Sequence, residues 1–338
     1  MLKRVLFIGV FSPTHSKNIP QLEELRRKGI DVTTFDYRAN TNKRRGPFKW
    51  FAWRLFWALK LPFFPKPVRR LFYRDPARQG MAKELFSKIK GETYDLILIS
   101  KAEDLHYKFL PKLRRHGPLF YYFMDYLKTA RIVEADEYAK RCDYASTTWS
   151  DVLPFFGNTR KLHLIQGASL QDYKHLKRRK KKHDVIFVGM IDRPRRRLLS
   201  YLKRNGIKVE VYGPNTRNGP RYNQALTKLY QESRIILNIN RPGAGFSARV
   251  FDAMATGSFL LATHNKDLEK FFVKGKHLEW FATKEECLNA IRHYLKHHKE
   301  RETIAKAGRK KVLEDYTWKN QIERLLSFVE DHNKRKKT

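Results

Sequence analysis

Asn238-Ile-Asn-Arg-Pro-Gly-Ala-Gly-Phe-Ser-Ala-Arg-Val-Phe-Asp-Ala-Met-Ala-Thr-Gly-Ser-Phe-Leu-Leu261 reads as a strand, a glycine loop, a helix and a second strand. Gly243 and Gly245 allow backbone N–H groups to approach an anion with no Cβ in the way. Ser247 is placed to cap the helix that follows, whose positive end then points at the loop. Arg241 and Arg249 flank the loop and suit charge-assisted hydrogen bonds to phosphate oxygens. Asp252 falls in the second turn of the expected helix, where a carboxylate can accept from a ribose hydroxyl. A buried strand-turn-helix edge with no ligand would account for the glycines, but not for glycines, arginines and a helix start together.

Outward from this stretch, the chain alternates strands and helices. Residues 5–10 form a continuous apolar run, as a strand buried on both faces requires, and 19–28 reads as a helix closed by Gly29. Further strands are expected at 31–37, 94–100, 119–124 and 144–148. Such an order predicts a doubly wound parallel sheet. At 177–182 the chain becomes Lys-Arg-Arg-Lys-Lys-Lys, read as a solvated linker, and a second strand-helix series opens at Asp184. The expected division is an N-terminal domain over 1–176, a basic linker at 177–183, a C-terminal domain over 184–316, and a final helix with a basic tail over 317–338.

Composition bears on the partners. The 338 residues carry 71 Lys and Arg against 34 Asp and Glu, a net charge of +37, which calls for an anionic partner: a membrane face, an anionic polymer or nucleic acid. Cys142 and Cys287 stand apart with no metal-ligand spacing, consistent with a reducing compartment. The apolar start is ended by Gly9 and Pro13 with no small-residue cleavage site, so it reads as a core strand. A cytoplasmic protein, at most peripheral to the inner face of the membrane, is expected. Residues 43–74 interleave Trp50, Trp53 and Trp57 with phenylalanines, Lys and Arg. That pattern fits a membrane-docking hairpin, a packed helix with snorkelling cations, or a platform for single-stranded nucleic acid.

The Arg241-Pro-Gly243 loop, Arg249-Val-Phe-Asp252 and Ala255-Thr-Gly257 together resemble the donor-binding motif of the GT-B glycosyltransferases, and within them the CgeB/YkvP-like spore-protein group related to glycosyltransferase family 4. The resemblance covers about 184–325 well and the first half loosely. Two positions depart from it: Asp252 stands where the group usually has Glu, and Ala244 where many family 4 enzymes have an acidic residue. The resemblance implies an α/β fold of two Rossmann-like doubly wound domains facing a central cleft, with the C-terminal helix crossing back to the first. It also implies a nucleoside-diphosphate sugar donor, UDP-, GDP- or ADP-linked, held mainly by the second domain.

From the same resemblance, a diphosphate-contacting cation is expected in the cluster Arg193, Arg195, Arg196 and Arg197 after Gly189, with Arg196 preferred. Tyr212 and Gly213 are expected to wall the base. Arg249 would stabilise the departing diphosphate. On the acceptor side, His15, in the loop with Ser12 and Ser16, and Asp125, after an expected strand, are candidates to take the acceptor proton. Glu134 with Asp136, and His293 with His297, lack the third ligand of a metal site, and no metal or other cofactor is expected to be required. The preferred acceptor is a lipid-linked or cell-surface glycan at an anionic membrane. A transferase acting on nucleic acid, and a non-catalytic polyanion-binding protein on a decayed transferase fold, are the alternatives.

Overall fold

The structure is a computed structural model that describes residues 2–12, 15–39, 76–101, 105–169, 173, 176, 179–241 and 245–334. The aromatic segment 43–74 and Gly243 lie outside the described residues. Contacts divide the chain into two units, Met1–Leu164 with Leu325–Thr338, and Ile165–Arg324.

The first unit is built on six parallel strands: β1 (Arg4–Gly9), β2 (Asp31–Asp36), β3 (Leu96–Ser100), β4 (Leu119–Phe123), β5 (Tyr144–Thr147) and β6 (Arg160–His163), in the order β2-β1-β3-β4-β5-β6. Every residue of β3, β4 and β5 is buried, because helices cover both faces of a parallel sheet. The edge strand β6, Arg-Lys-Leu-His, has no fully buried residue. That mixed pattern hides it from a reading based on apolar runs.

The second unit has five parallel strands: β7 (His183–Val188), β8 (Val209–Tyr212), β9 (Ser233–Asn238), β10 (Phe259–Thr263) and β11 (Glu279–Phe281), in the order β11-β10-β9-β7-β8. In both sheets the first strand has the second on one side and the third on the other. The connections after the first and third strands therefore diverge, leaving a crevice at the carboxyl edge where open α/β sheets receive ligands. Val250, Phe251, Ala253 and Met254 of the Arg249–Ala255 helix bury their side chains in this unit's core with Ile186 and Leu260.

The Trp318–Lys334 helix begins in the second unit and ends in the first. At its start, Trp318 N donates to Ala168 O at 2.9 Å, and a Cβ on Gly167 would lie 2.5 Å from the Thr317 backbone. Toward its end, the Phe328 ring meets that of Tyr144 edge-on at 5.9 Å, and Tyr144 Oη donates to Asn333 Oδ1 at 2.8 Å. No helix among the described residues is long and apolar enough to cross a membrane.

Candidate functional site

Three guanidinium groups converge at the carboxyl edge of the second sheet. Arg249 opens the Arg249–Ala255 helix; its Nη1 donates to the carbonyl of Val188, the last residue of β7, and its Nε to Ser247 Oγ at 3.2 Å. Arg195, in the Arg193–Arg204 helix, is only 4% exposed. Its Nε and Nη2 donate to Ile239 O at 2.9 and 2.7 Å, and its Nη1 to Met190 O at 2.9 Å. One buried side chain thus ties the loop after β7 to the loop after β9. Arg241 places Nε 3.3 Å from Asp192 Oδ2 and Nη2 3.6 Å from Sδ of the half-exposed Met190.

Asp192 is the carboxylate that the cluster itself supplies, and it already caps the Arg193–Arg204 helix by accepting from Arg195 N at 3.1 Å. Positive charge consequently exceeds its local compensation. Burial, followed by repulsion from Arg249 and Arg241 and only partly opposed by Asp192, pushes the Arg195 guanidinium down to about 10. Arg249 is also held below its ordinary value, first by burial and then by Arg241, while Tyr230 and Asp252 pull the other way. Cations destabilised in this way gain from a bound anion, and their fixed hydrogen bonds aim them before it arrives.

The structure alters several expectations. The helix starts at Arg249, one residue later than a Ser247 cap would place it; Ala248 occupies the cap position without a side-chain hydrogen bond, and the Ser247 hydroxyl is taken by Arg249 Nε. Only the Ser247 carbonyl serves the helix, accepting from Val250 N at 2.9 Å. At seven residues the helix is short, so guanidinium groups rather than a long dipole dominate the field. Asp252 lies in the first turn, not the second, and is 3% exposed. Arg196 is exposed, and its neighbour Arg195 is the residue that enters the cluster, because the helical turn points the latter inward. Tyr212 is a core residue, its ring flanked by His183 and Arg221 and its hydroxyl donating to Glu210 Oε2 at 3.2 Å.

Gly189 and Gly213 have a packing reason for being glycine. A Cβ on Gly189 would collide with Arg249 Nη1, and one on Gly213 with the Gly189 carbonyl; both sit at positive φ, 156° and 158°. Their absent side chains let the ends of β7 and β8 close up beneath the arginines. Gly245 is partly buried where the described chain resumes after the loop.

In the first unit the corresponding edge is organised by Asp36 at the end of β2. It accepts from Phe11 N at 2.8 Å, Ser12 N at 2.7 Å and the Ser12 hydroxyl, fixing the start of the loop that carries the exposed His15. Asp125, just past β4, is paired with Lys101 at 2.6 Å, and Lys101, just past β3, holds a left-handed φ of 62°. This ion pair was not foreseen and restrains the carboxylate. Glu134 accepts from Tyr107 Oη at 3.3 Å, and Asp136 pairs with Lys140 at 3.1 Å. Both cysteines are buried, and burial drives their thiols up, Cys287 to about 12.

Residues 193–327 match a family model described as glycosyl transferase-like. Solved structures align over nearly the whole chain. The sucrose-phosphate synthase of Thermosynechococcus elongatus superposes with a TM-score of 0.67 at 13% identity, covering 98% of this chain and 100% of that one. Anabaena HepE in complex with UDP-glucose gives 0.62 at 14% identity, covering 97% and 100%. A glycosyltransferase from Rickettsia africae gives 0.60 at 10% identity, covering 97% and 98%. The fold is that of the GT-B glycosyltransferases. A comparison with curated protein sequences gives no match. The three arginines belong to the second of the two GT-B domains, and all three, Arg195, Arg241 and Arg249, lie inside the region that matches the family model.

Proposed function

We propose that the protein transfers a sugar from a nucleoside-diphosphate sugar to a hydroxyl acceptor, with the donor diphosphate bound beside Arg241 and Arg249. The observation that carries this reading is the under-compensated guanidinium cluster at the switch point of the second sheet, within the glycosyl transferase-like region. As the bond from the anomeric carbon to the diphosphate breaks, negative charge grows on the departing phosphate. Guanidiniums already fixed in place stabilise that charge without reorganising, and they do so with no metal ion required. Arg195 acts by holding the two loops together. Asp252 is assigned to the ribose end of the donor and Gly213 to the base end. His15 and Asp125 are the acceptor-side candidates, Asp125 needing Lys101 to release it first. UDP is the first nucleotide to try, since Anabaena HepE is seen with UDP-glucose; GDP and ADP follow.

The acceptor assigned is a lipid-linked or cell-surface glycan at an anionic membrane, supported by the net charge of +37 and the aromatic cationic composition of 43–74. Membership of the CgeB/YkvP-like group is proposed on the Arg249-Val-Phe-Asp252 motif. The test is thermal stabilisation by UDP-, GDP-, ADP- and CMP-linked sugars, with Arg249→Ala and Arg241→Gln beside the parent. Stabilisation by one nucleotide sugar that both variants lose supports the donor site. Stabilisation by polyanions alone would move the chain to the non-catalytic class, and a glycosylated nucleic-acid product would replace the membrane acceptor.

A further inference from the structure

A second basic site lies at the opposite edge of the second unit's sheet. A cavity of about 590 Å³ opens where β9 and β10 begin, lined by Arg234, the second residue of β9, and Phe259, the first of β10. It is bordered by the first turn of the His298–Asp315 helix through Lys299 and Arg301, and by Lys306 and Arg309 further along that helix. Arg179 and Lys181, from the basic run read above as a solvated linker, complete the wall. Seven cationic side chains thus face one carboxylate, Glu302.

Several of these cations are built in rather than merely solvated. Arg301 is 5% exposed, and Nη1 donates to Tyr294 O; no carboxylate of the described residues lies at ion-pair distance from it. Arg309 Nε donates to Ala255 O at 3.0 Å and its Nη2 to Tyr173 O at 2.7 Å, which fixes the fork against the end of the short helix. Gly257, at φ 73°, brings backbone into the wall, where a Cβ would stand 3.1 Å from Arg309 Cδ. Arg234 leans on Asp184 at the rim. Burial lowers the Arg301 guanidinium, and repulsion from Arg234 adds to it against the weaker pull of Glu302 and Asp184. The charge is concave and crowded, and it falls in the volume range of small-molecule pockets, roughly 300–1,000 Å³. A bilayer cannot enter such a recess, and a duplex would contact only its rim.

We infer that this cavity binds a small polyphosphorylated anion, separately from the donor site. The mixture of guanidiniums and lysines suits several phosphate groups at once, the donors that remain on the guanidiniums making charge-assisted hydrogen bonds to phosphate oxygens and the lysines adding compact positive charge. Strand β9, roughly 20 Å long, separates this cavity from the arginine cluster at the other edge. The inference does not depend on the transferase reading.

Calorimetric titration of the full chain with inorganic tripolyphosphate, at about 0.15 M ionic strength where exposed charges are largely screened, tests it. Saturable binding is expected, weakened about tenfold or more in an Arg179→Gln, Lys299→Gln, Lys306→Gln triple variant, whose exposed side chains can be changed without touching the core. A control that removes equal charge on another exposed face, Lys203→Gln, Arg204→Gln, Lys208→Gln, should bind within about twofold of the parent. The phase that the cavity variant removes should persist in Arg241→Gln. Equal weakening by both triples would reduce the effect to net charge. Binding lost in Arg241→Gln and kept in the cavity variant would return the anion to the donor loops. Failure of tripolyphosphate to bind, with an oligonucleotide bound and lost in the cavity variant, would overturn the small-ligand assignment.

Discussion

Arg249 Nη1 donates to the carbonyl of Val188, and Gly189, the next residue, leaves the guanidinium its room. A strand end, a glycine and a helix start thereby become one unit: the glycine is small because the arginine must lie across it. The arginine in turn closes the carboxyl end of β7 to the helix that follows β9.

Gly189→Ala should therefore damage the site more than the fold. The new methyl would push Arg249 off the Val188 carbonyl at a backbone φ of 156°. The backbone cost is about 1–3 kcal/mol, whereas stabilisation by the nucleotide sugar that the parent recognises should be lost. Thermal shift with and without that donor measures both effects in one experiment. A variant that melts early yet keeps the full donor shift would detach Arg249 from the diphosphate.

Gly213→Ala and Gly206→Ala separate packing from backbone strain. Both glycines have positive φ, 158° and 82°, but a Cβ on Gly213 meets the Gly189 carbonyl, while one on Gly206 meets nothing within 4 Å. Gly206→Ala should cost about 1 kcal/mol, and Gly213→Ala roughly 2–3 kcal/mol more, since a backbone carbonyl must move. Urea denaturation of the two variants checks the difference. Equal losses would mean that φ, rather than the approach of the β7 and β8 ends, explains the glycine.

Asp36 should make the first unit acid-sensitive. Burial alone would raise its carboxyl, but hydrogen bonds from the Ser12 hydroxyl and from the Phe11, Arg38 and Ser12 amides outweigh it and lower the pKa. A carboxylate depressed in the folded state binds fewer protons there than when unfolded. Its contribution is complete above the unfolded value of about 3.9 and is lost as pH falls through the folded one. Asp36→Asn should be less stable than the parent by about 1–3 kcal/mol at pH 7, with the gap narrowing below about pH 4. A gap unchanged between pH 7 and pH 3 would assign the effect to neutral hydrogen bonding alone.

What was legible in the chain follows from burial. β1, β3, β4 and β10 announce themselves because both faces of a parallel strand are covered, so nearly every side chain must be apolar, and in β9 the run Ile235 to Leu237 does the same. β6 escaped notice because an edge strand can carry Arg160 and Lys161, and β11, three residues long, gives no period to read. At the site, the coincidence of glycine and arginine was visible, but the identity of the inward arginine was not. One residue is about 100° of helix, and the phase depends on where the helix starts. Asp192 followed by Arg193-Pro194 carried that information: with Asp192 as cap, Arg195 turns inward and Arg196 outward. The Ser247 assignment failed for a related reason. A serine suits a cap, yet an arginine two residues later competes for the same oxygen.

Arg241, Arg195 and Arg196 give the sharpest separation of roles. The Arg241 side chain is 42% exposed, so Arg241→Gln should change stability by no more than about 0.5 kcal/mol. It should weaken donor binding by about tenfold or more, the worth of a charge-assisted bond to phosphate. Arg195→Gln removes the donors from Ile239 O and Met190 O and should cost about 2–4 kcal/mol of stability, because buried carbonyls lose partners while the two loops come apart. Arg196→Gln should leave both quantities near the parent's. Denaturant titration and calorimetry with the nucleotide sugar, run on the three variants together, measure each role. If Arg196→Gln weakens the donor as much as Arg241→Gln, the diphosphate contact belongs to the outward arginine, and the cluster around Arg195 serves the fold alone.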